Sequence, residues 1–258
     1  MSVKTLLDLS GKVALVTGGS RGLGLQIAQA LGEMGAKLAI TARKKDELDE
    51  TTKKLSAAGL TVQPYVCDIG KREAIAPVAD QILKKYGKVD ILVNNAGATW
   101  GAPAEQHPLD AWDKLVSVNL SGLFVLTQII AAKSMIPAKW GRIINVASIA
   151  GLIGQDPRFA PTAAYTATKH GVVGLTRQLA AEWGVHGITV NAICPGFFPS
   201  RMTRGVLDKV SASIIEMTPN RRLGNDEDLK GLAVLLASEA SRHITGQAIA
   251  VDGGATIV

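Results

Sequence analysis

The chain has 258 residues, 47% of them hydrophobic and only 4% aromatic, so it is long enough for one large domain or two small ones around a substantial aliphatic core, and its 27 glycines suit tight turns. A net charge of +6 comes from scattered basic residues with no basic block interleaved with aromatics, which argues against a nucleic-acid partner and suits an anionic cofactor or substrate. The two cysteines, Cys67 and Cys194, form no CxxC motif and read as buried thiols of a reducing compartment; the first residues are too short and polar for a signal peptide, and no apolar run approaches a bilayer span of about 20 residues, so a cytoplasmic protein without a membrane partner is expected.

Along the chain, short aliphatic and β-branched runs alternate with longer helical patterns. Strands are predicted at 13–17, 37–41, 61–67, 89–94, 142–147, 188–194 and 248–251, and helices at 22–34, 44–58, 71–86, 109–136, 161–183 and 226–238. Most strand runs are continuously apolar, as expected when both faces are covered. The alternation predicts an α/β protein, a three-layer doubly wound fold with a parallel sheet of about seven strands and right-handed crossovers. With no linker, repeat or low-complexity segment, residues 1–258 read as one dinucleotide-binding catalytic domain. Two segments break the rhythm: the Gly- and Pro-rich 151–161 and the long 197–225, read as a substrate loop. Both follow the C-terminal end of a strand, where ligands sit in open α/β sheets.

The first motif is the run TGGSRGLG at 17–24, between the first strand and the first long helix. Gly18, Gly22 and Gly24 permit a tight turn, and the amides at the start of the helix can face a pyrophosphate. The spacing differs from the common G-x-G-x-x-G, but the physical logic is the same. NAD-binding sites usually carry an acidic residue at the end of the second strand to hold the ribose 2′-hydroxyl. Here no carboxylate follows that strand and the first charge is Arg43; Arg21 lies within the glycine turn. Two guanidiniums suit a 2′-phosphate, so NADP(H) is the expected cofactor; the alternative is a pair of solvated surface arginines.

The second motif is YTATK at 165–169. Tyr165 and Lys169 stand one helical turn apart. A phenol with an ordinary pKa of about 10 is a poor base at neutral pH, and a neighbouring ammonium should lower it. Ser148 ends the fifth strand, where its hydroxyl can orient a carbonyl. Asn119 lies in SVNLSG at 117–122 on the long helix. Together they describe a redox site in which Tyr165 exchanges a proton with the oxygen of a ketone or alcohol. The histidines His107, His170, His186 and His243 are dispersed without ligand spacing, so no metal site is expected.

With Asn94, Asn95, Ala96 and Gly97 between them, these motifs strongly resemble the short-chain dehydrogenase/reductase family, from about Leu9 to Gly254. The resemblance implies a Rossmann fold and the catalytic set Asn119, Ser148, Tyr165 and Lys169, with Asn119 holding a water that connects Lys169 to solvent. It implies a cofactor site built from Thr17, Gly18, Ser20, Arg21, Gly22, Leu23, Gly24, Arg43, Asp68, Ile69, Asn95, Ala96, Gly97, Tyr165, Lys169, Pro195, Gly196, Phe198 and Ser200. Asp68 would contact adenine, although it also reads as a helix N-cap. Pro195 and Gly196 resemble the turn beside the nicotinamide, and Ser200 the hydroxyl near its carboxamide. Ser148 and Tyr165 are 17 positions apart, more than is usual in the family; the extra length, 155–162, should bulge outward beside the substrate.

Within the family, 97–103 and 195–203 look most like gluconate 5-dehydrogenases, which implies a sugar acid or polyol as the small-molecule substrate. In that case Arg158 is a candidate partner for the substrate carboxylate, or else a surface partner of Asp156. The alternative is a 3-oxoacyl-acyl-carrier-protein reductase, whose docking residues would fall near Lys139 and His186. A nucleotide-sensing protein without turnover is a third reading, against which the intact Asn–Ser–Tyr–Lys set argues. The resemblance also implies a homotetramer paired through the helices at 109–136 and 161–183.

Overall fold

Inside the sheet, Val13–Thr17 (β1) is buried at every position, because neighbouring strands flank it and helices cover both its faces. The computed structural model describes residues 1–157 and 161–258. A short helix, Val3–Leu7 (α1), precedes β1, capped where the Ser2 side chain accepts from the Thr5 amide. Then follow Gly22–Glu33 (α2), Lys37–Ala42 (β2), Lys45–Ala57 (α3), Val62–Val66 (β3), Arg72–Tyr86 (α4) and Ile91–Asn94 (β4). The second half contains Leu109–Val116 (α5), Gly122–Ile130 (α6), Ile136–Ala138 (α7), Gly141–Val146 (β5), Ala163–Trp183 (α8), Ile188–Pro195 (β6), Arg204–Met217 (α9), Lys230–Ala237 (α10) and Ala248–Val251 (β7).

The seven strands run in the order β3-β2-β1-β4-β5-β6-β7, and every pairing is parallel. This is the doubly wound Rossmann architecture the alternation predicted. One helical layer buries Ile27, Leu31, Leu229 and Leu236 against the sheet. The other buries Ile75, Ile82, Leu126, Ile130 and Leu179. The strand order reverses between β1 and β4, which opens a crevice at their C-terminal ends. Pro64 sits in β3, an edge strand, where a missing N–H is tolerated.

Element boundaries differ from the expected ones by a few residues, with three larger differences. First, the expected loop 197–225 contains α9, a helix of 14 residues kinked at Val210. Its buried positions, Leu207 and Ile214, and the buried C-cap Thr218 recur at helical spacing. Second, the helix expected from 226 begins at Lys230 and is preceded by turns. Third, α5, α6 and α7 form one continuous helix, Leu109–Ala138, joined by the π-helical turns Ser117–Ser121 and Ala131–Met135. It contains an 18-residue window apolar enough to cross a bilayer by length and composition, with mean hydropathy 1.9, which corrects the expectation that no run approaches a span. Within this fold, its Leu115, Leu123, Leu126, Ile130 and Met135 are core residues.

Candidate active site

The glycine turn is held by contacts that leave room for hydrogen at two positions. A Cβ on Gly24 would lie 2.3 Å from both the Asn95 amide nitrogen and the Gly18 carbonyl oxygen. Gly18, at φ +64°, would bring a Cβ to 2.8 Å from the same amide. Asn95 Nδ2 donates to the carbonyls of Thr17 (2.9 Å) and Gly18 (3.1 Å). The Thr17 hydroxyl accepts from the amides of Asn95 and Ala96, both at 3.0 Å. These bonds tie β1 to β4 across the switch point. Gly22 differs: at φ +53°, no atom lies within 4 Å of its would-be Cβ, which would project into open space. No side chain caps α2, so its first amides stay available to an anion. This cradle fits a dinucleotide pyrophosphate. Around it, Ser20 is buried with its carbonyl taking the Thr51 hydroxyl at 2.6 Å, and Leu23 packs on the core.

Arg43 is exposed beyond β2. Arg21 is not free: its Nη1 donates to both oxygens of Glu47, each at 2.9 Å. Glu47 is thus a carboxylate beside the glycine turn that the strand-end pattern did not reveal. Asp68 accepts from the Gly70 amide at 3.1 Å, but the N-cap of α4 is Lys71, which corrects the capping expectation. Ile69 is buried, and its carbonyl presses on Gly122, where a Cβ would come within 1.9 Å.

The four residues expected to be catalytic come from three places: the first π-helical turn, the end of β5, and α8, which carries both Tyr165 and Lys169. Asn119, 1% exposed, sits in the first π-helical turn. Its Oδ1 accepts from the Ala98 amide at 2.8 Å, and its Nδ2 donates to the Ala98 carbonyl (3.0 Å) and the Thr168 hydroxyl (3.1 Å). The side chain therefore clamps the loop after β4 to α8. Ser148 follows β5, and its hydroxyl accepts from the Ala150 amide at 3.1 Å. Next to it, a Cβ on Gly151 would come within 2.7 Å of the Lys169 carbonyl, so the Ser148 turn lies directly on α8. As a result the Ser148 side chain faces the Tyr165 hydroxyl and favours its ionised form.

Lys169 is buried, with Nζ donating to the Val146 carbonyl at 2.7 Å and lying 5.6 Å from the centre of the Tyr165 ring. Burial lowers its pKa to about 8. Burial raises the Tyr165 phenol, opposed by the neighbouring Ser148 side chain. The expected lowering of Tyr165 by the ammonium is not seen, and burial sets the direction. Behind this set, Asn94 Nδ2 donates to Thr127 (2.8 Å) and Asn145 (2.9 Å), and Asn145 Nδ2 donates to Thr176 (2.9 Å). This buried ladder joins α6 to α8 through β4 and β5.

At the far end of the crevice, the Gly196 amide donates to Val251, and a Cβ there would lie 2.8 Å from Asp252. Phe198 turns its ring into the core against Gly224. Ser200 and Thr203 exchange hydrogen bonds, the Ser200 amide to the Thr203 hydroxyl (3.0 Å) and the Thr203 amide to the Ser200 hydroxyl (3.2 Å), in the turn that starts α9. A cavity of about 330 Å³ between this segment and the C-terminal turn is lined by Phe197, Thr218, Asn220, Arg222 and Asp252. Arg158 lies outside the described residues. Among the described residues, no three His, Cys, Asp or Glu side chains are grouped to hold a metal ion.

The signals for Thr168, Glu47 and the Asn94–Asn145 ladder were absent from local pattern, since each acts through a partner distant in sequence. Comparison with known proteins agrees with the motifs. The family model described as short chain dehydrogenase matches residues 12–211. A gluconate 5-dehydrogenase of Gluconobacter oxydans is 38% identical over 259 aligned positions, spanning 100% of this chain and 99% of that protein. A 3-oxoacyl-[acyl-carrier-protein] reductase of Thermotoga maritima is 35% identical, over 97% of this chain and 100% of its own. A solved gluconate 5-dehydrogenase from Burkholderia cenocepacia, in complex with NADP and tartrate, superposes with TM-score 0.94 at 33% identity, covering 100% of both chains. With the fold, the glycine cradle and the Ser148–Tyr165–Lys169 cluster in place, this chain belongs to the short chain dehydrogenase family of oxidoreductases.

Proposed function

We propose that this protein is an NADP(H)-dependent oxidoreductase that interconverts a secondary alcohol and a ketone on a sugar acid or polyol, in the manner of a gluconate 5-dehydrogenase. The observation that carries the reading is the placement of Ser148 beside the Tyr165 phenol with the buried Lys169 ammonium beneath the ring. When bound, the dinucleotide supplies or accepts the hydride. Gly18, Gly22 and Gly24 make its turn, the first amides of α2 hold its pyrophosphate, and Arg21 and Arg43 take its 2′-phosphate. Asp68, Ile69, Asn95, Ala96 and Gly97 line the adenosine side, and Pro195, Gly196 and Ser200 the other end.

Tyr165 is the general acid/base at the substrate oxygen, and Ser148 fixes that oxygen by a hydrogen bond. A phenol raised by burial keeps its proton at neutral pH, which suits donation to a developing alkoxide. Lys169 contributes a buried positive charge, and Asn119 holds the wall of the site against α8. One catalytic domain, residues 1–258, carries all of this.

The sugar-acid reading is supported by the Gluconobacter and Burkholderia relatives, the second solved with the small acid tartrate. The alternative, reduction of a 3-oxoacyl carrier thioester, is supported by the Thermotoga relative. Its docking residues argue against it. Lys139 and His186 precede β5 and β6, at the end of the sheet opposite Ser148.

The proposal includes a cytoplasmic homotetramer. An apolar groove on the 109–138 helix and α8, lined by Leu120, Phe124, Gly171, Gly174 and Leu175, supports pairing through these helices. The test is a screen of 5-ketogluconate, related sugar acids and acetoacetyl thioesters with both cofactors. Turnover of the acids with NADPH supports the assignment. Faster turnover of thioesters transfers it to the carrier-protein reductases, and nucleotide binding with no turnover of any ketone leaves a sensor.

A further inference from the structure

Glu47 is a carboxylate held within a cluster of cations at the adenosine end of the crevice. Its Oε1 lies 2.9 Å from Arg21 Nη1, 3.2 Å from Arg201 Nη1 and 3.3 Å from Lys44 Nζ. Its Oε2 accepts from the same Arg21 nitrogen at 2.9 Å. Arg21 belongs to the glycine turn, Lys44 and Glu47 to the start of α3, and Arg201 to the segment leading into α9. Arg43 immediately precedes Lys44. Because both oxygens of Glu47 take a single nitrogen, Nε and Nη2 of Arg21 make no other hydrogen bond among the described residues. They present an unused edge of the guanidinium fork.

We propose that Glu47 is a specificity-determining residue for the cofactor: its charge opposes a ribose 2′-phosphate held by Arg21 and favours the unphosphorylated ribose. This rests on the nicotinamide-dinucleotide reading above and deepens it. A phosphate on the free edge of Arg21 carries up to two negative charges within one guanidinium of the carboxylate, and like charges at that range repel. A ribose hydroxyl, in contrast, is a donor that a carboxylate accepts. Glu47 thus acts with opposite sign on the two dinucleotides. Lys44 and Arg201 keep Glu47 paired when Arg21 turns to another anion, so the carboxylate remains in place as a permanent weight on the balance. The side chains are partly solvated, 47% exposed for Arg21 and 23% for Glu47, which sets the effect at the scale of surface charges, screened by salt.

The experiment is fluorescence titration of NADPH and NADH on wild type, Glu47→Gln, Arg21→Gln and Arg21→Gln/Glu47→Gln, at low and high ionic strength. Thermal melts verify folding. Glu47→Gln is expected to tighten NADPH by roughly 2- to 5-fold and to leave NADH unchanged or weaker. The ratio of the NADH to the NADPH dissociation constant then rises at low salt and relaxes at high salt. In the Arg21→Gln background the same change should move the ratio less. An unchanged or reduced ratio in Glu47→Gln, with wild type binding NADPH normally, overturns this role. Wild type that binds neither dinucleotide overturns the cofactor reading itself. Binding is the readout, so neither outcome depends on knowing the substrate.

Discussion

Lys169 is anchored to the backbone of Val146, not to Tyr165: Nζ donates to that carbonyl at 2.7 Å. The bond fixes the ammonium behind the ring, but burial still drives its pKa down to about 8 from an ordinary 10.5. Between those values the unfolded chain holds the Lys169 proton more tightly than the folded one. Folding is therefore penalised below about pH 8 and relieved as pH rises. Each pH unit within this window is worth about 1.4 kcal/mol. Relative to Lys169→Met, wild type should gain about 2 kcal/mol between about pH 8 and pH 9.5, measured by denaturant unfolding of both proteins. Parallel pH profiles would show that Lys169 keeps an ordinary proton affinity in the fold.

Tyr165→Phe removes one oxygen and keeps the ring. Catalysis should fall about 10²- to 10⁴-fold, the usual worth of a positioned proton donor, while dinucleotide affinity stays within about a factor of three. Steady-state kcat and a binding titration separate the two. Retention of more than about a tenth of wild-type kcat would remove Tyr165 from the general acid/base role.

Burial raises the Tyr165 phenol, so the protonated form needed to reduce a ketone persists through neutral pH. The phenolate needed to oxidise an alcohol is scarce there. Oxidation rates should climb steadily from about pH 7 to pH 10, while reduction is flat or declines over the same range. Initial rates in both directions across that range test this. An oxidation optimum at or below neutrality would contradict it.

Asn145 is 0% exposed and bonds both Asn94 and Thr176. Asn145→Leu leaves the Asn94 amide with one partner fewer and the Thr176 hydroxyl without its donor. The expected loss is about 1–3 kcal/mol of stability, read as a lower denaturant midpoint. Because the ladder joins the helices that carry Asn119 and Tyr165, kcat should also fall, with no change in the ratio of NADPH to NADH affinity. A variant of unchanged stability would show that the site repacks.

The order of the strands and of most helices, the glycine turn and the one-turn spacing of Tyr165 and Lys169 were legible in the sequence. Each rests on local rules: continuous apolar runs mark doubly covered strands, glycine tolerates positive φ at positions 18 and 22, and a helix sets Tyr165 and Lys169 one turn apart. What tertiary structure alone decided involves partners far apart in the chain. Glu47 meets Arg21 across 26 positions and Arg201 across 154, and no local pattern announces such a pairing. The helix α9 is marked only by apolar residues that find their burial against other segments. Phe198 faces inward because Gly224 leaves room for its ring. The proton affinities of Tyr165 and Lys169 follow the same logic: the motif alone suggested that a nearby ammonium would dominate, but the surrounding fold removes water from both groups, and desolvation depends on everything packed around them, not on their spacing.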